Sequence, residues 1–147
     1  MRVLLIYNSV HHGNTEKIAK VIAAELKAKM VKPTEEEVNK LLEYDLIGFG
    51  SGIYMSKHHE SIFQLVEKLP IVKGKKAFIF STSGSSREYN ETLEEKLTAK
   101  CFQVEGEFSC RGFDTYGPFK LIGGINKSRP NEEDCRKARE FAISLLE

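Results

Sequence analysis

The segment from Val3 to Leu26 decides the fold, and it reads VLLIYNSVHHGNTEKIAKVIAAEL. It opens with a continuous apolar run, Val3 to Tyr7, which is typical of a parallel strand covered on both faces. After a polar loop, apolar residues recur at helical spacing, which predicts a helix of about 15 residues beginning at Thr15. The predicted core face of this helix carries Ile18, Ile22, Leu26 and Met30. Strand, loop and helix in this order predict a βα unit.

The same alternation continues along the chain. Further strands are predicted at residues 30–31, 46–50, 77–81 and within 102–110. The strand at 30–31 is very short and is therefore expected at a sheet edge. Strands that alternate with helices predict an α/β fold, a three-layer, doubly wound sheet of five parallel strands.

Helix signals separate these strands. Thr34 and Glu37 have the spacing of a capping box, which predicts a short helix through Leu42. Another apolar stripe ends at Leu69, just before a proline. The final helix is expected to begin after Asn131, with negative charge in its first turn. Its predicted core face consists of Cys135, Ala138, Phe141, Ala142, Leu145 and Leu146.

Length and charge narrow the class of protein. A chain of 147 residues predicts a single domain over residues 1–147. The 22 Lys and Arg against 21 Asp and Glu give a formal charge of +1, which disfavours a nucleic-acid partner. The apolar runs are too short for a membrane span and no secretory signal is recognised, so a cytoplasmic location is expected. The cysteines lack C-x-x-C spacing and are expected to be buried thiols: Cys101, Cys110 and Cys135.

Ligands of doubly wound sheets bind beyond the carboxyl ends of the strands. This rule points to three loops, residues 9–14, 51–58 and 82–89. In the first loop, backbone amides and the positive end of the next helix converge, so Ser9 to Thr15 is interpreted as a phosphate cradle. A plain turn in which Asn14 or Thr15 caps the helix is the alternative. The loop lacks the spacing of a nucleoside-triphosphate or dinucleotide site, which favours a monophosphate.

The other two loops carry weaker signals. Gly48, Gly50 and Gly52 end the third predicted strand, although glycine also serves packing or a turn. Tyr54 is a candidate aromatic surface for a planar ligand, or else a half-buried surface tyrosine. The third loop, Thr82 to Ser86, is rich in hydroxyl groups that suit the polar edge of a heterocycle.

The histidines form two adjacent pairs, His11–His12 and His58–His59, on loops expected at the same end of the sheet. Neighbours on a loop rarely both point inward, and no Cys or carboxylate accompanies them at ligand spacing. A metal site is therefore disfavoured, and contact with phosphate or solvent is expected instead.

Taken together, these segments resemble the flavodoxin family. Gly13-Asn14-Thr15, preceded by Tyr7-Asn8-Ser9, is similar to the family's first loop, approximately Ser/Thr-x-Thr-Gly-Asn-Thr. The loop here is one residue longer, and His12 stands where threonine is usual. The resemblance implies strand order 2-1-3-4-5 and a bound FMN. The residues that it implies for cofactor binding are Ser9, Val10, His11, His12, Gly13, Asn14, Thr15, Ser51, Gly52, Ile53, Tyr54, Met55, Thr82, Ser83, Gly84, Ser85 and Tyr89.

The same resemblance implies an FMN-binding electron-transfer protein that shuttles electrons between redox partners, with a reductase or a ferredoxin-type protein as donor. No side chain is expected to act as a catalytic acid or base. The stretch from Gly50 to Phe63 is also similar to flavodoxin-type protoporphyrinogen dehydrogenases. An FMN-dependent oxidoreductase, such as that enzyme or a quinone reductase, is therefore the alternative. A regulatory receiver is disfavoured, because Asn8-Ser9 and Gly50-Ser51 stand where a receiver needs acidic residues.

Two details of the flavin site are also expected from the resemblance. Tyr54 stacks on the flavin ring, with Tyr89 or Tyr116 at its other side. Met55 follows Tyr54 where the family usually has glycine. Because a non-glycine residue resists positive φ and Lys57 is cationic, the two one-electron potentials are expected to lie close together.

Overall fold

The computed structural model describes residues 1–10, 13–84, 89–112 and 128–147. Its strands are β1 (Val3–Asn8), β2 (Lys29–Val31), β3 (Leu46–Tyr54), β4 (Lys57–His58), β5 (Lys76–Ser83) and β6 (Gln103–Arg111). Its helices are α1 (Asn14–Leu26), α2 (Glu60–Lys68), α3 (Glu91–Ala99) and α4 (Glu132–Ser144), and a 3₁₀ helix covers Glu36–Glu43.

The sheet has the expected topology. Neighbouring strands follow the order β2-β1-β3-β5-β6, and each of these pairs is parallel. Counted among the parallel strands alone, this is the predicted order 2-1-3-4-5, so the doubly wound α/β fold is confirmed. The register pairs Asn8 with Ser51, and Ser51 with Ser81. The carboxyl ends of the three central strands therefore lie side by side.

Two hydrophobic layers cover the sheet, because successive strand residues point to opposite faces. One layer packs Leu5 and Phe78 against Ile18 of α1 and Ala138 of α4. The other packs Phe49 and Ile79 against α2, α3 and the 3₁₀ helix. Both layers hold fully buried strand residues, which explains why the strands read as continuous apolar runs.

The glycines of β3 serve the core. A Cβ atom at Gly48 would collide with the ring of Phe78, and one at Gly50 would collide with the ring of Phe80. Both aromatic rings belong to β5, the neighbouring strand, and both are fully buried. The packing interpretation of these two glycines is therefore correct, and neither marks a ligand.

Several predicted helix boundaries are wrong. Helix α1 stops at Leu26, where Lys27 turns left-handed with φ 53°, so Met30 lies in β2 and not on the helix. Thr34 does not form the predicted capping box, because the N-cap of the 3₁₀ helix is the next residue, Glu35. Leu146 lies beyond the end of α4 and is 51% exposed.

The final helix begins as predicted. Asn131 accepts a hydrogen bond from the Asp134 amide at 3.0 Å, and the Asp134 carboxylate accepts one from the Asn131 amide at 2.8 Å. This reciprocal pair is a capping box. Within the described residues, no helix is both long and apolar enough to cross a membrane.

The cysteines do not share one environment. Cys135 is buried, Cys110 is half-buried and Cys101 is exposed. Cys101 follows α3 in a left-handed turn with φ 68°, which carries its side chain out of the core. The prediction of three buried thiols is therefore wrong for Cys101.

Candidate functional site

The carboxyl edge of the sheet brings together the described parts of the three predicted loops. Three of the predicted site residues, His11, His12 and Ser85, lie outside the described residues, as does Tyr116. The others follow or end β1, β3 and β5, the adjacent central strands. The prediction of where the loops converge thus agrees with the register of the sheet.

The first loop turns into α1 at Gly13. Its φ of 65° is left-handed, a conformation that glycine adopts without a Cβ penalty. The Ser9 hydroxyl accepts a hydrogen bond from the Glu16 amide at 3.2 Å, and the Gly13 carbonyl accepts one from the Lys17 amide at 3.0 Å. Gly13 is the N-cap residue, so the alternative in which Asn14 or Thr15 caps the helix is wrong. Val10, also predicted to contact the ligand, is 53% exposed.

Thr15 joins the first loop to the third. Its hydroxyl lies 2.9 Å from the hydroxyl of Thr82, and both side chains are buried. Gly112, which follows β6, lies close to the first turn of α1, since a Cβ atom on it would lie 2.5 Å from Asn14 Nδ2. These contacts fix the start of α1 against the ends of β5 and β6.

Asn8 ends β1 between the first two loops. Its Oδ1 atom is buried and has no hydrogen-bond partner among the described residues. A buried acceptor without a donor costs on the order of 1–3 kcal/mol, and most such groups in proteins are satisfied. This atom suits an external donor, and it supports a ligand at this edge of the sheet.

The second predicted loop is mostly a hairpin. Strand β3 continues to Tyr54 and pairs antiparallel with β4 through Ile53–His58 and Tyr54–Lys57. The connection is Met55 and Ser56, with φ 51° and 67°. Two consecutive left-handed residues are typical of a type I′ turn, which matches the twist of a hairpin. Met55 thus adopts positive φ in the hairpin in spite of the cost to a non-glycine residue, and the closeness of the two one-electron potentials stays a prediction.

Tyr54 is held by its neighbours in this hairpin. Its hydroxyl oxygen lies 3.0 Å from the position that a Cβ atom on Gly52 would take, so a side chain there would require the Tyr54 ring to shift by a few tenths of an ångström. The His59 ring packs against Tyr54 edge to face, with centroids 5.4 Å apart. His59 is also the N-cap of α2, since its Nδ1 accepts a hydrogen bond from the Ser61 amide at 3.1 Å. Tyr54 is half-buried and Met55 is 85% exposed at the tip.

His58 is buried, with 2% of its surface exposed. Its Nδ1 lies 2.9 Å from Ser51 Oγ and its Nε2 lies 2.7 Å from Asn90 Oδ1. Burial lowers the pKa of His58 to about 4, although the bond to Asn90 opposes this shift. The ring is therefore neutral at pH 7. The expected contact of His58 with phosphate or solvent is wrong, because the hairpin turns it inward.

The hydrogen-bonded chain continues beyond His58. Asn90 Nδ2 donates to Ser109 Oγ at 3.0 Å, and Ser109 Oγ lies 2.8 Å from Ser81 Oγ. We call Ser51, His58, Asn90, Ser109 and Ser81 the buried polar chain. It links β3, the start of α3, β6 and β5. Asn90 and Ser109 were not predicted as site residues; an Asn before a helix signals a cap, not a partner for a distant histidine.

The order Ser51–His58–Asn90 does not make a nucleophilic triad. Ser51 is fully buried, so no substrate reaches its oxygen. That oxygen also accepts a hydrogen bond from the His59 amide at 2.8 Å and lies 2.7 Å from the Gly52 carbonyl oxygen. A serine engaged in this way holds backbone and does not attack a carbonyl carbon.

The end of β6 has a second electrostatic feature. Burial, aided by the nearby Asp134 carboxylate, raises the pKa of Cys110 to about 12, so this thiol stays protonated. Asp134 is buried, yet its bidentate bond to Arg129, with both distances 2.5 Å, keeps its pKa below the ordinary value. Among the described residues, no cluster of His, Cys, Asp and Glu has the geometry of a metal site.

Comparisons with known proteins agree with this geometry. An uncharacterized protein of Methanocaldococcus jannaschii is 51% identical over 149 residues, which cover 99% of each chain. Among solved structures, oxidised flavodoxin 2 from Bacillus cereus superposes with a TM-score of 0.75 at 23% identity, covering 99% of this chain and 98% of that one. A flavodoxin from the domain Archaea gives 0.73 at 18% identity, with 99% and 96% covered.

Larger proteins contain the same fold as a part. The rubredoxin oxygen:oxidoreductase of Desulfovibrio gigas gives a TM-score of 0.75 at 16% identity, covering 97% of this chain but 34% of that one. At such identities the superpositions establish the fold. The family model described as a flavodoxin domain matches residues 4–112, from β1 to the end of β6. This chain belongs to the flavodoxin-domain family.

Proposed function

We propose that the protein binds FMN noncovalently at the carboxyl edge of the sheet and transfers electrons between redox partners. The observation that carries the proposal is the buried Oδ1 of Asn8, which has no hydrogen-bond partner in the described part of the chain and lies between loops that a flavodoxin-domain protein uses for its cofactor. The proposal includes one flavodoxin-like domain over residues 1–147 and a cytoplasmic location. The proposed partners are a reductase or ferredoxin-type donor and an acceptor protein.

The residues at this edge fit a ligand with an anionic group and a planar ring. In the proposed complex, the backbone of Gly13, Asn14 and Thr15 binds the phosphate at the positive end of α1. The hairpin from Ser51 to Met55 lies along the ring, with Tyr54 as its aromatic contact. The third loop, including Ser83, Gly84 and Tyr89, contacts the far edge. When bound, the flavin supplies the one- and two-electron chemistry, and the protein sets its potential and access.

An FMN-dependent oxidoreductase is a second candidate. The observation in its favour is the segment from Gly50 to Phe63, which resembles flavodoxin-type protoporphyrinogen dehydrogenases and here forms the hairpin of Tyr54 and the start of α2. In this proposal FMN bound at the same site would pass electrons from a porphyrinogen to a quinone, or from NADPH to a quinone. Turnover of either pair by the purified protein, without a partner protein, separates the second candidate from the first.

The absorption spectrum of the purified protein tests FMN binding. We expect flavin bands, release of FMN and not FAD by acid, and saturable rebinding of FMN to the cofactor-free protein. Riboflavin, which lacks the phosphate, should bind more weakly if the start of α1 holds that group. A colourless protein that takes up no FMN would overturn the proposal.

A further inference from the structure

The strand pairing in the hairpin that carries Tyr54 is short. Strand β4 has two residues and, among the described strands, pairs with β3 only. Isolated two-stranded hairpins are marginally stable in water. The side chain at its tip, Met55, is 85% exposed and adds little apolar packing. A further contact is needed to fix the hairpin relative to the other loops.

The buried polar chain supplies that contact. Ser51 Oγ binds the backbone of the hairpin, because it accepts a hydrogen bond from the His59 amide at 2.8 Å. His58 then connects this oxygen to Asn90. The chain thus runs from the hairpin to the segment that follows Tyr89 and on to β5 and β6.

The Asn90 side chain forms hydrogen bonds within the buried polar chain and not with its own helix. Asn90 occupies the N-cap position of α3, yet its side chain makes no capping hydrogen bond. Asparagine at an N-cap ordinarily stabilises the helix by binding a first-turn amide. Here its Nδ2 donates to Ser109 and its Oδ1 accepts from His58, which places the ring proton on Nε2. An apolar side chain would pack the same space at lower desolvation cost, so burial alone does not account for this polar pair.

We propose that His58 is the positioning residue that holds the Tyr54 hairpin, through Ser51 and Asn90, in the arrangement that binds FMN. This inference rests on the proposed function. His58 itself does not touch the ligand; its neutral ring accepts from Ser51 and donates to Asn90. It fixes the distance between the second and third loops, which contact opposite parts of the flavin ring.

A double-mutant cycle on FMN affinity tests the inference. His58→Leu and Asn90→Ala should each weaken FMN binding about tenfold or more, and the double variant should bind no more weakly than the worse single variant. His58→Gln, whose amide still donates to Asn90, should recover most of the loss. Losses that multiply in the double variant would overturn the inference, as would affinities of both single variants within about twofold of the wild type.

Tyr44→Phe is the matched control. Tyr44 is also buried, and its hydroxyl donates to Glu37 at 2.5 Å at the opposite edge of the sheet. This variant loses a hydrogen bond and stability without touching the buried polar chain, so its FMN affinity should be unchanged. An equal loss of affinity in Tyr44→Phe would show that general destabilisation explains the His58 result.

Amide hydrogen exchange on the FMN-free protein separates this inference from the proposed function. If the wild type binds no FMN, the proposed function fails, but the connection is still measurable. His58→Leu should then speed exchange of the His59 amide about tenfold, relative to the Leu5 amide in β1 as a core reference. Unchanged exchange at His59 would overturn the positioning role. If His58→Leu does not fold, Asn90→Ala and His58→Gln provide the same comparison.

Discussion

The two edges of the sheet differ in the charge and burial of their polar side chains. At the amino edge, Tyr44 binds the Glu37 carboxylate, which Lys29 also approaches at 3.3 Å, and the Arg2 guanidinium lies over the Tyr44 ring. Lys29 is 57% exposed, so such pairs are screened by water and contribute little. At the carboxyl edge, the buried polar chain is uncharged, and all of its members are buried except Ser109, which is half-buried.

The difference lies between exposed ion pairs and buried, neutral polar side chains. Exposed ion pairs cost little to form and little to lose. A group of buried, neutral Ser, His and Asn side chains is costly unless every member is hydrogen-bonded, and the nearby Asn8 Oδ1 has no partner among the described residues. That acceptor costs stability at the carboxyl edge, a cost that the exposed pairs of the amino edge do not carry.

The largest expected effect is the pH dependence of stability. The folded-state pKa of His58, about 4, lies below its ordinary value of 6.5, so its contribution is complete above pH 6.5 and is lost as pH falls towards 4. Its contacts on β3 and α3, Ser51 and Asn90, are uncharged. The titratable residues beside them in the chain are Lys57, His59, Glu60 and Glu91. Between pH 7 and pH 4, the wild type should lose about 3 kcal/mol of unfolding free energy beyond what His58→Gln loses.

Urea unfolding at several pH values measures this difference. Tyr44→Phe, at the amino edge, should follow the wild-type profile above about pH 5. At lower pH the two profiles separate, because the Tyr44 hydroxyl lowers the pKa of Glu37 and the variant lacks that bond. Parallel profiles for the wild type and His58→Gln would mean that the pKa of His58 is the same in the folded and the unfolded chain, which would contradict the prediction.

Two glycines sharpen the comparison within the strands and turns. Gly50→Ala forces a methyl group into the buried Phe80 ring and should cost about 1–3 kcal/mol of unfolding free energy. Gly74→Ala, in the turn before β5, meets no atom within 4 Å and adds only the strain of its φ of 67°, about 1 kcal/mol. Denaturant midpoints at equal slope give both values. A smaller loss for Gly50→Ala than for Gly74→Ala would contradict the packing role of Gly50.

Removal of the Tyr54 ring tests the site directly. Tyr54→Ala should weaken FMN binding by about 1–2 kcal/mol, the range for losing an aromatic contact with some burial. Fluorescence titration of the FMN-free protein measures the change. The conservative Tyr54→Phe should lose much less, since the ring remains. Equal affinity in Tyr54→Ala and wild type would remove Tyr54 from the proposed site.

The smallest effect concerns the left-handed residues. Ser56→Gly relieves a φ of 67° and should stabilise the protein by about 0.5–1 kcal/mol. Lys27→Gly relieves a φ of 53° at the end of α1 and serves as the matched change away from the hairpin. Thermal unfolding should show a similar gain for both. A loss of stability in Ser56→Gly alone would show that the serine side chain contributes to the hairpin.

Much of the fold could be predicted from local signals. Val3 to Tyr7 reads as a strand buried on both faces because both of its faces are covered, and Asn131 with Asp134 reads as a helix start because the cap is local. The limits of α1 were less well predicted. Met30 continues the helical period of Ile18 and Ile22, but pairing of β2 with β1 ends the helix first.

The site was predicted at the level of loops and not of contacts. The rule for parallel sheets identified the carboxyl edge, and the Gly13-Asn14-Thr15 motif identified the family that the match over residues 4–112 establishes. The functions of individual residues were less predictable. For Gly48 and Gly50 the sequence left packing and a ligand loop open, and the structure shows that they accommodate phenylalanine rings. His58 was expected to contact phosphate or solvent, although it is buried.

The sequence by itself determined the order of strands and helices, the doubly wound sheet and the sheet edge at which we propose that a ligand binds, because the spacing of apolar residues and the turn-forming residues are local properties. Only the tertiary structure decided that residues 51–59 form a hairpin, and that His58 meets Asn90, 32 residues away. Such pairs depend on the register between strands and on which side of a turn faces the core. Neither the strand register nor the side of a turn that faces the core produces a repeating pattern in a single sequence. Long-range hydrogen bonds between uncharged side chains are therefore seen only in the folded structure.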